Sequence, residues 1–334
     1  MAVLVEENAT VVRVGTRRSP LAIAQADSIV EQLQAAAPAL KYETKVVTTM
    51  ADENQSKSLQ KFNSKSIWTE ELEQLLNDKE LDIVVHCLKD MPTRLPDSCA
   101  LGGISKREDP RDVVVMRLGS SYRTIKDLPT GSVVGTSAVR RKAQIHRFFP
   151  HLDCVDIRGN INTRLKKLDE DHGPYECLVL AAAGLKRIGL EHRITHYLTA
   201  NDGMLYAPGQ GALGLEIRKG DIRMLRLLGS LSDQSTTLAC LAERNLLRVL
   251  EGGCSAPISV QTTWKGHTLS LKSSVISPDG QHIVESSVSR AIGSADQADA
   301  LGRDLAAILM ELGAGEILQN IKPAPSVLPP ANTV

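Results

Sequence analysis

Cationic and hydroxyl side chains recur at three places where a strand gives way to a helix: Arg17, Arg18 and Ser19; Thr136, Ser137, Arg140 and Arg141; Arg158 with Arg164. Backbone N–H groups at a helix start point outward and favour anions. The planar arginine fork donates two parallel hydrogen bonds to a carboxylate. Each charge-assisted bond is worth roughly 1.5–3 kcal/mol net, so several converging on one cleft would hold a polycarboxylate. Any one of these arginines reads equally well as a solvated helix face; their recurrence at equivalent junctions points to an acidic ligand.

Two further groups suit covalent or acid–base chemistry. Asp90, in Leu88-Lys89-Asp90-Met91-Pro92, lies just past a short apolar strand, Asp82 to Cys87. Open α/β sheets place their ligands at such strand ends, and a carboxylate there can stabilise a cation or move a proton. The alternative is a turn-forming Asp ahead of Pro92. Cys254 follows Gly252-Gly253, on a loop rather than an apolar stripe. It reads as a nucleophile or attachment point, or as a half-buried thiol. Cys87, Cys177 and Cys240 fall within apolar segments and read as core. His86, Cys87 and Asp90 make no metal site, because consecutive strand residues face opposite ways. Gly209-Gln210-Gly211-Ala212-Leu213-Gly214 spells G-x-G-x-x-G, yet Ala207-Pro208 precedes it and Leu215 to Arg218 reads as a strand. The dinucleotide fingerprint needs the reverse order, a strand before and a helix within.

The elements that must position these groups alternate between strand and helix. Val12 to Thr16 is a strand, and Ser19-Pro20 caps a helix whose inward face is Ala26, Val30, Leu33 and Ala37. A strand from Tyr42 to Thr49, a helix capped by Thr69 with Leu72, Leu75 and Leu76 inward, and the strand before Asp90 complete a unit with a parallel sheet. A second unit repeats the grammar: strand Ser132 to Thr136, helix Ser137 to Phe149, then strand Cys177 to Leu180 with a small-residue turn, Ala181 to Gly184. VGTRRSPLAIAQ at Val14 and VGTSAVRRKAQ at Val134 form a weak internal echo. In the last hundred residues, a helix over Leu238 to Leu250 has Ala242, Leu246, Val249 and Leu250 inward. Strands Ile258 to Trp264, Thr268 to Ile276 and His282 to Arg290 follow. A final helix is marked by Ala298, Leu301, Leu305, Ile308 and Leu312. Residues 321–334 are rich in Pro and Ala and read as a disordered tail.

The 334 residues exceed one ordinary core. The 39 basic and 39 acidic residues cancel, leaving no global attraction to nucleic acid or anionic membrane. No apolar run is long enough to span a bilayer, and Met1 to Glu7 has no signal-peptide pattern. Six scattered cysteines, without a C-x-x-C pair, argue against zinc and disulfides and for a cytoplasmic protein.

VGTRRSPLAIAQ, VVHCLKDMPT, GTSAVRRKAQ, DIRGNINTRL, LAAAGLKRIG, APGQGALG and LEGGCSAPIS, in this order, resemble the signature blocks of the porphobilinogen deaminase family. The resemblance implies an α/β fold: two doubly wound lobes of periplasmic-binding-protein type plus a small α+β C-terminal domain. The expected division is 1–107 with 208–231, 108–207, and 232–320. It implies a transferase that deaminates four porphobilinogen molecules and condenses them into hydroxymethylbilane, a linear tetrapyrrole of haem biosynthesis. Position by position, Cys254 matches the cysteine carrying a dipyrromethane cofactor through a thioether, and Asp90 the catalytic carboxylate. Arg17, Ser19, Lys89, Thr136, Ser137, Arg140, Arg141, Arg158, Arg164 and Arg187 match residues that bind acetate and propionate groups. No metal, nucleic acid or membrane partner is expected, and the chain is expected to be a monomer. Met50-Ala51-Asp52, Asn63-Ser64-Lys65, Ala138 and Val155 depart from the family's usual residues. The rival reading is a non-enzymatic two-lobed binder of a small carboxylate anion, which would have no use for a thiol on a third domain.

Overall fold

The computed structural model describes residues 11–48, 69–250 and 256–321. The chain opens with β1 (Val11–Arg17), α1 (Pro20–Ala36), β2 (Lys41–Val47), α2 (Glu70–Asn77), β3 (Ile83–Cys87) and β4 (Cys99–Ile104). Ser19 Oγ accepts from the Ala22 amide at 3.2 Å and Pro20 occupies the first turn, so α1 starts where its cap dictates. The buried face of α1 is Ala26, Ile29 and Leu33; Val30 is only half-buried and Ala37 lies past the helix end. Thr69 precedes α2 without capping it by its side chain; the hydroxyl bonds Glu73 instead.

The chain then crosses into a second sheet, through β5 (Asp112–Met116), β6 (Val133–Gly135), α3 (Val139–Phe148), β7 (Asp153–Val155), α4 (Ile161–Leu168), β8 (Cys177–Ala181), α5 (Ala182–Arg187) and β9 (His196–Tyr197). It returns to the first sheet with β10 (Leu213–Arg218) and α6 (Ile222–Gly229). The two sheets run β2-β1-β3-β10-β4 and β7-β6-β8-β5-β9, the same order position for position. The echoed Val-Gly-Thr segments therefore occupy matching places, at β1–α1 and β6–α3. Neither sheet is wholly parallel: β10 runs against β3 and β4, and β5 against β8 and β9. The cause is the double crossover, which brings one strand into each sheet from the opposite lobe. Both faces of the second sheet are covered, Val114, Met116 and Val179 packing on one side and Val113, Val115 and Leu180 on the other. Such double burial explains why these strands read as unbroken apolar runs. Ala182 to Arg187 is helix rather than turn, in line with alanine's leading helix propensity.

The third unit holds α7 (Gln234–Val249), the antiparallel strands β11 (Ile258–Lys265), β12 (Thr268–Ile276) and β13 (Ile283–Ala291), α8 (Ala295–Glu311) and α9 (Ala314–Gln319). Ala242 and Leu246 of α7 meet Leu301, Leu305 and Leu309 of α8 over Leu269 and Leu271. Two expected inward residues point out: Val249 is 39% exposed, and Leu312, past the end of α8, 56%. Leu309, four residues beyond Leu305, continues the buried stripe instead. The division we propose, 1–107 with 208–231, 108–207 and 232–320, keeps each sheet whole within one unit.

The third unit is fastened to both crossovers. Arg107 on the first makes a bidentate pair with Glu243 of α7, at 2.6 and 3.0 Å. Tyr206 on the second exchanges backbone hydrogen bonds with Val260 of β11 at 3.0 and 2.8 Å. The β12–β13 turn also rests on the end of α3, where His146 Nδ1 lies 2.8 Å from the Pro278 oxygen.

Candidate active site

β3 is buried from Ile83 to His86 and ends in a single 3-10 turn, Leu88–Asp90. The Leu88 amide donates to the Ala212 oxygen at 3.0 Å, and Leu88 and Met91 are buried on either side. These anchors leave Asp90 exposed. Cys87 accepts a bond from Gln25 Nε2 at 3.0 Å. Burial pushes its thiol pKa up, with Asp90 adding to the rise and Lys89 and Arg187 opposing it. Asp90, Lys89, Cys87 and Arg187 are thus electrostatic neighbours.

The three helix starts that look alike in sequence differ in the structure. At α1, Ser19 caps the helix and Thr16 Oγ1 donates to the Ala22 oxygen at 2.9 Å. At α4, Asn160 Oδ1 accepts from the Thr163 amide at 2.9 Å. At α3 the capping position is Ala138, which offers no side-chain acceptor. There Thr136 Oγ1 and Arg141 Nε are buried without a hydrogen-bond partner. A helix start with open amides, an unused hydroxyl and an unused guanidinium nitrogen fits a carboxylate. Those groups would hold the acid side chains of a dipyrromethane.

Asp112, at the head of β5, faces the arginine pair: Arg140 Nη1 lies 2.7 Å from Oδ2 and Arg141 Nη2 2.7 Å from Oδ1. Burial would raise the Asp112 pKa, but Arg140 and then Arg141 hold it well below the usual carboxylate range. Arg140 also donates to the Leu205 oxygen at 2.6 Å and Arg141 to the Val179 oxygen at 3.0 Å. Arg140, expected on the ligand, is engaged internally here. Ser137 is likewise occupied, donating to the Ile157 oxygen at 2.7 Å and accepting from its amide at 3.1 Å. Burial lowers the Arg164 pKa to about 10; Arg141 lowers it further and Asp90 opposes this. Asp90 of one lobe is therefore an electrostatic neighbour of Arg164 of the other, as is Arg141. Arg187, from α5, donates to the Gly211 oxygen at 2.7 Å and neighbours Cys87 and Glu108. The lobes come close at Gly184, where an added Cβ would lie 3.7 Å from Leu21 of α1.

Arg17 sits half-buried at the end of β1, and Arg158 half-buried 3.8 Å from Asp156. Cys254 lies outside the described residues, between the end of α7 and the start of β11. Residues 50–52 and 63–65, two of the departures noted in sequence, also lie outside them. Sequence reasoning missed Asp112, Gln25, Gln210 and Arg244. Gln25 is a polar residue inside an apolar run and Asp112 opens one, signals that lacked a partner until the fold supplied it; Gln210 and Arg244 carried no such local mark. No group of His, Cys, Asp and Glu capable of holding a metal occurs among the described residues.

A two-lobed α/β clamp with a cationic cleft, one facing carboxylate and a third unit clasping both crossovers defines an anion-handling protein. Two family descriptions match the chain: "Porphobilinogen deaminase, dipyromethane cofactor binding domain" over residues 12–226, and "Porphobilinogen deaminase, C-terminal domain" over 237–311. The chain belongs to the porphobilinogen deaminase family. A porphobilinogen deaminase of Yarrowia lipolytica is 49% identical, covering 92% of both chains. The Saccharomyces cerevisiae protein of that name is 46% identical over 92% of this chain and 96% of its own. The periplasmic VFT2 domain of Bordetella pertussis BvgS aligns with a TM-score of 0.40 and 14% identity, over 66% of this chain and 86% of that one.

Proposed function

We propose that this cleft deaminates porphobilinogen and condenses four units into hydroxymethylbilane, on a dipyrromethane bound through a thioether to Cys254. The observation that carries the reading is the uncapped start of α3 with Thr136 Oγ1 and Arg141 Nε unused, and Asp90 within electrostatic reach of Arg164. Each porphobilinogen brings an acetate and a propionate, which call for fixed cations; loss of ammonia leaves a cation, which calls for one carboxylate.

When bound, the dipyrromethane supplies the pyrrole carbon to which the first unit is joined. Arg141, Arg164 and Thr136 hold its carboxylates, with Ser137 and Arg140 fixing the shape of the junction from behind. Arg17, Lys89, Arg158 and Arg187 take the carboxylates of the incoming unit and the growing chain, with Ser19 holding the start of α1 by its cap. Asp90 receives the pyrrole N–H and stabilises the positive charge as ammonia departs. It then accepts, directly or through water, the proton released when the new carbon–carbon bond forms. Charge stabilisation by one preorganised group is typically worth about 3–4 kcal/mol of barrier.

We also propose a monomer working in the cytoplasm without nucleic acid or membrane. The balanced charge supports the lack of a nucleic-acid partner; among the described residues no helix is long and apolar enough to cross a membrane.

Intact-mass spectrometry tests the reading. The purified chain should be heavier by a dipyrromethane, with the added mass on the Cys254 peptide, and should release a linear tetrapyrrole from porphobilinogen. A folded chain of unmodified mass that binds carboxylates and releases nothing would point to a reversible binder instead.

A further inference from the structure

The Gly209-Gln210-Gly211 turn is no nucleotide loop, yet it sits where every part of the cleft meets. Gly209 and Gly211 have φ of 76° and 90°, a left-handed backbone that favours glycine. A Cβ on Gly209 would lie 3.2 Å from the Lys89 amide nitrogen, and one on Gly211 would run into the Glu108 oxygen. The turn is thus packed directly on the loop that carries Asp90. Its polar groups reach outward in four directions. The Gly209 amide donates to Glu243 at 2.7 Å, and the Gln210 oxygen accepts from Arg107 at 2.8 Å. The Gly211 oxygen accepts from Arg187 at 2.7 Å. The Gln210 side chain, 1% exposed, donates from Nε2 to the Pro110 oxygen at 2.7 Å and to Asp112 Oδ1 at 2.8 Å.

We propose that Gln210 is a positioning residue for the reaction assigned above, setting the distance between Asp90 and the arginine cluster. Asp112 is the shared counter-ion of Arg140 and Arg141. Gln210 spends both amide hydrogens on fixing that carboxylate and the first crossover, while the residue before it, Gly209, packs against Leu88 and Lys89. The Gly209-Gln210 step therefore ties the carboxylate-bearing loop of one lobe to the counter-ion of the other lobe's arginines, with Gln210 supplying the polar end of the tie. Its Oε1 is buried without a hydrogen-bond partner, an arrangement packing alone would not favour, since an unmatched buried acceptor is destabilising. The amide is retained for what its nitrogen holds.

The proposal rests on the activity proposed above, and its test separates the two. Gln210→Met keeps the length of the side chain and removes both donors. Asp112 keeps both arginines in this variant, so ligand binding persists while the lobe spacing loosens. Steady-state assays with porphobilinogen should show KM within about twofold of the parent and kcat lower by about tenfold or more. Intact mass should show full cofactor and a build-up of chains carrying partly grown product. A kcat within twofold of the parent overturns the proposal. So does a fall in kcat matched by lost cofactor and a lowered Tm, which would mark Gln210 as merely structural. Should Gln210→Met fail to fold, Gln210→Asn, whose amide falls one carbon short, carries the same readings. An inactive parent chain of unmodified mass would sink the activity itself, whatever the variants do.

Discussion

Arg244 Nη2 of α7 lies 2.6 Å from the Pro92 carbonyl oxygen, and its Nη1 reaches the carbonyls of Met91 and Leu88 at 3.2 and 3.4 Å. A helix of the third unit thus grips the backbone on both sides of Asp90. Burial lowers the Arg244 pKa to about 10, which leaves it charged at neutral pH. Arg244→Met should cost about 3 kcal/mol of stability, because buried carbonyls lose a charged donor. It should also lower kcat. Denaturant unfolding and steady-state kinetics check both, and Arg244→Lys should recover only part, since an ammonium cannot match the fork.

Asp90→Asn should leave fold and cofactor intact, because Asp90 is exposed and supports no packing. Turnover should fall by at least about a thousandfold, as expected for loss of the charge that meets a developing cation. Quantifying tetrapyrrole release alongside the intact mass tests this; near-normal release would refute the role given to Asp90.

Arg141→Ala should leave Asp112 buried with one cation fewer, a loss of about 3–5 kcal/mol by the precedent of broken buried ion pairs. Its other effect should be on ligand: cofactor occupancy by mass should drop. The Asp112 pKa is depressed in the folded protein, so its stabilisation is present above the ordinary carboxylate range near 4. That contribution is lost as pH falls through the depressed value. The difference in Tm between parent and Arg141→Ala should therefore persist from neutral pH down to about pH 4.

Glu73 on α2 is buried and its Oε1 lacks a hydrogen-bond partner. Burial raises its pKa; the Thr69 hydrogen bond opposes the rise and the Glu216 charge adds to it. An acid with a raised folded pKa destabilises the protein once pH exceeds its unfolded value near 4.3. Glu73→Gln should therefore raise Tm at pH 7.5, by the equivalent of about 1 kcal/mol, and the gain should shrink toward pH 4.5. Melting curves at the two pH values decide it.

Gly302 of α8 lies so close to α7 that a Cβ would run into the Ala242 oxygen. Gly302→Ala should lose about 1–3 kcal/mol through overpacking. KM should stay unchanged, because neither Gly302 nor Ala242 is assigned to the ligand. Thermal unfolding with parallel kinetics separates the two effects.

Strand and helix placement was largely legible because the period of the apolar pattern is a local property. β1, β3, β6, β8 and the three strands of the third unit fall where alternation or short apolar runs place them. The antiparallel direction of one strand in each sheet was not legible, although Leu215 to Arg218 read as a strand. β10 and β5 are decided by a chain that leaves one lobe and returns, and no local pattern records a crossover.

Asp90 and the arginine-rich junctions could be picked out one by one, since a charged residue at a strand end or helix start announces itself. Which junction is open to a ligand was decided in three dimensions. Ser19 and Asn160 close two of the helix starts, while Ala138 leaves the third uncapped above Thr136 and Arg141. Residue types and their local spacing, which hydrophobic period and capping chemistry govern, were set by the sequence alone. Asp112, Gln210 and Arg244 acquired their roles only through tertiary structure. A buried polar group is defined by its partner, and theirs lie 28, 98 and 152 residues or more along the chain.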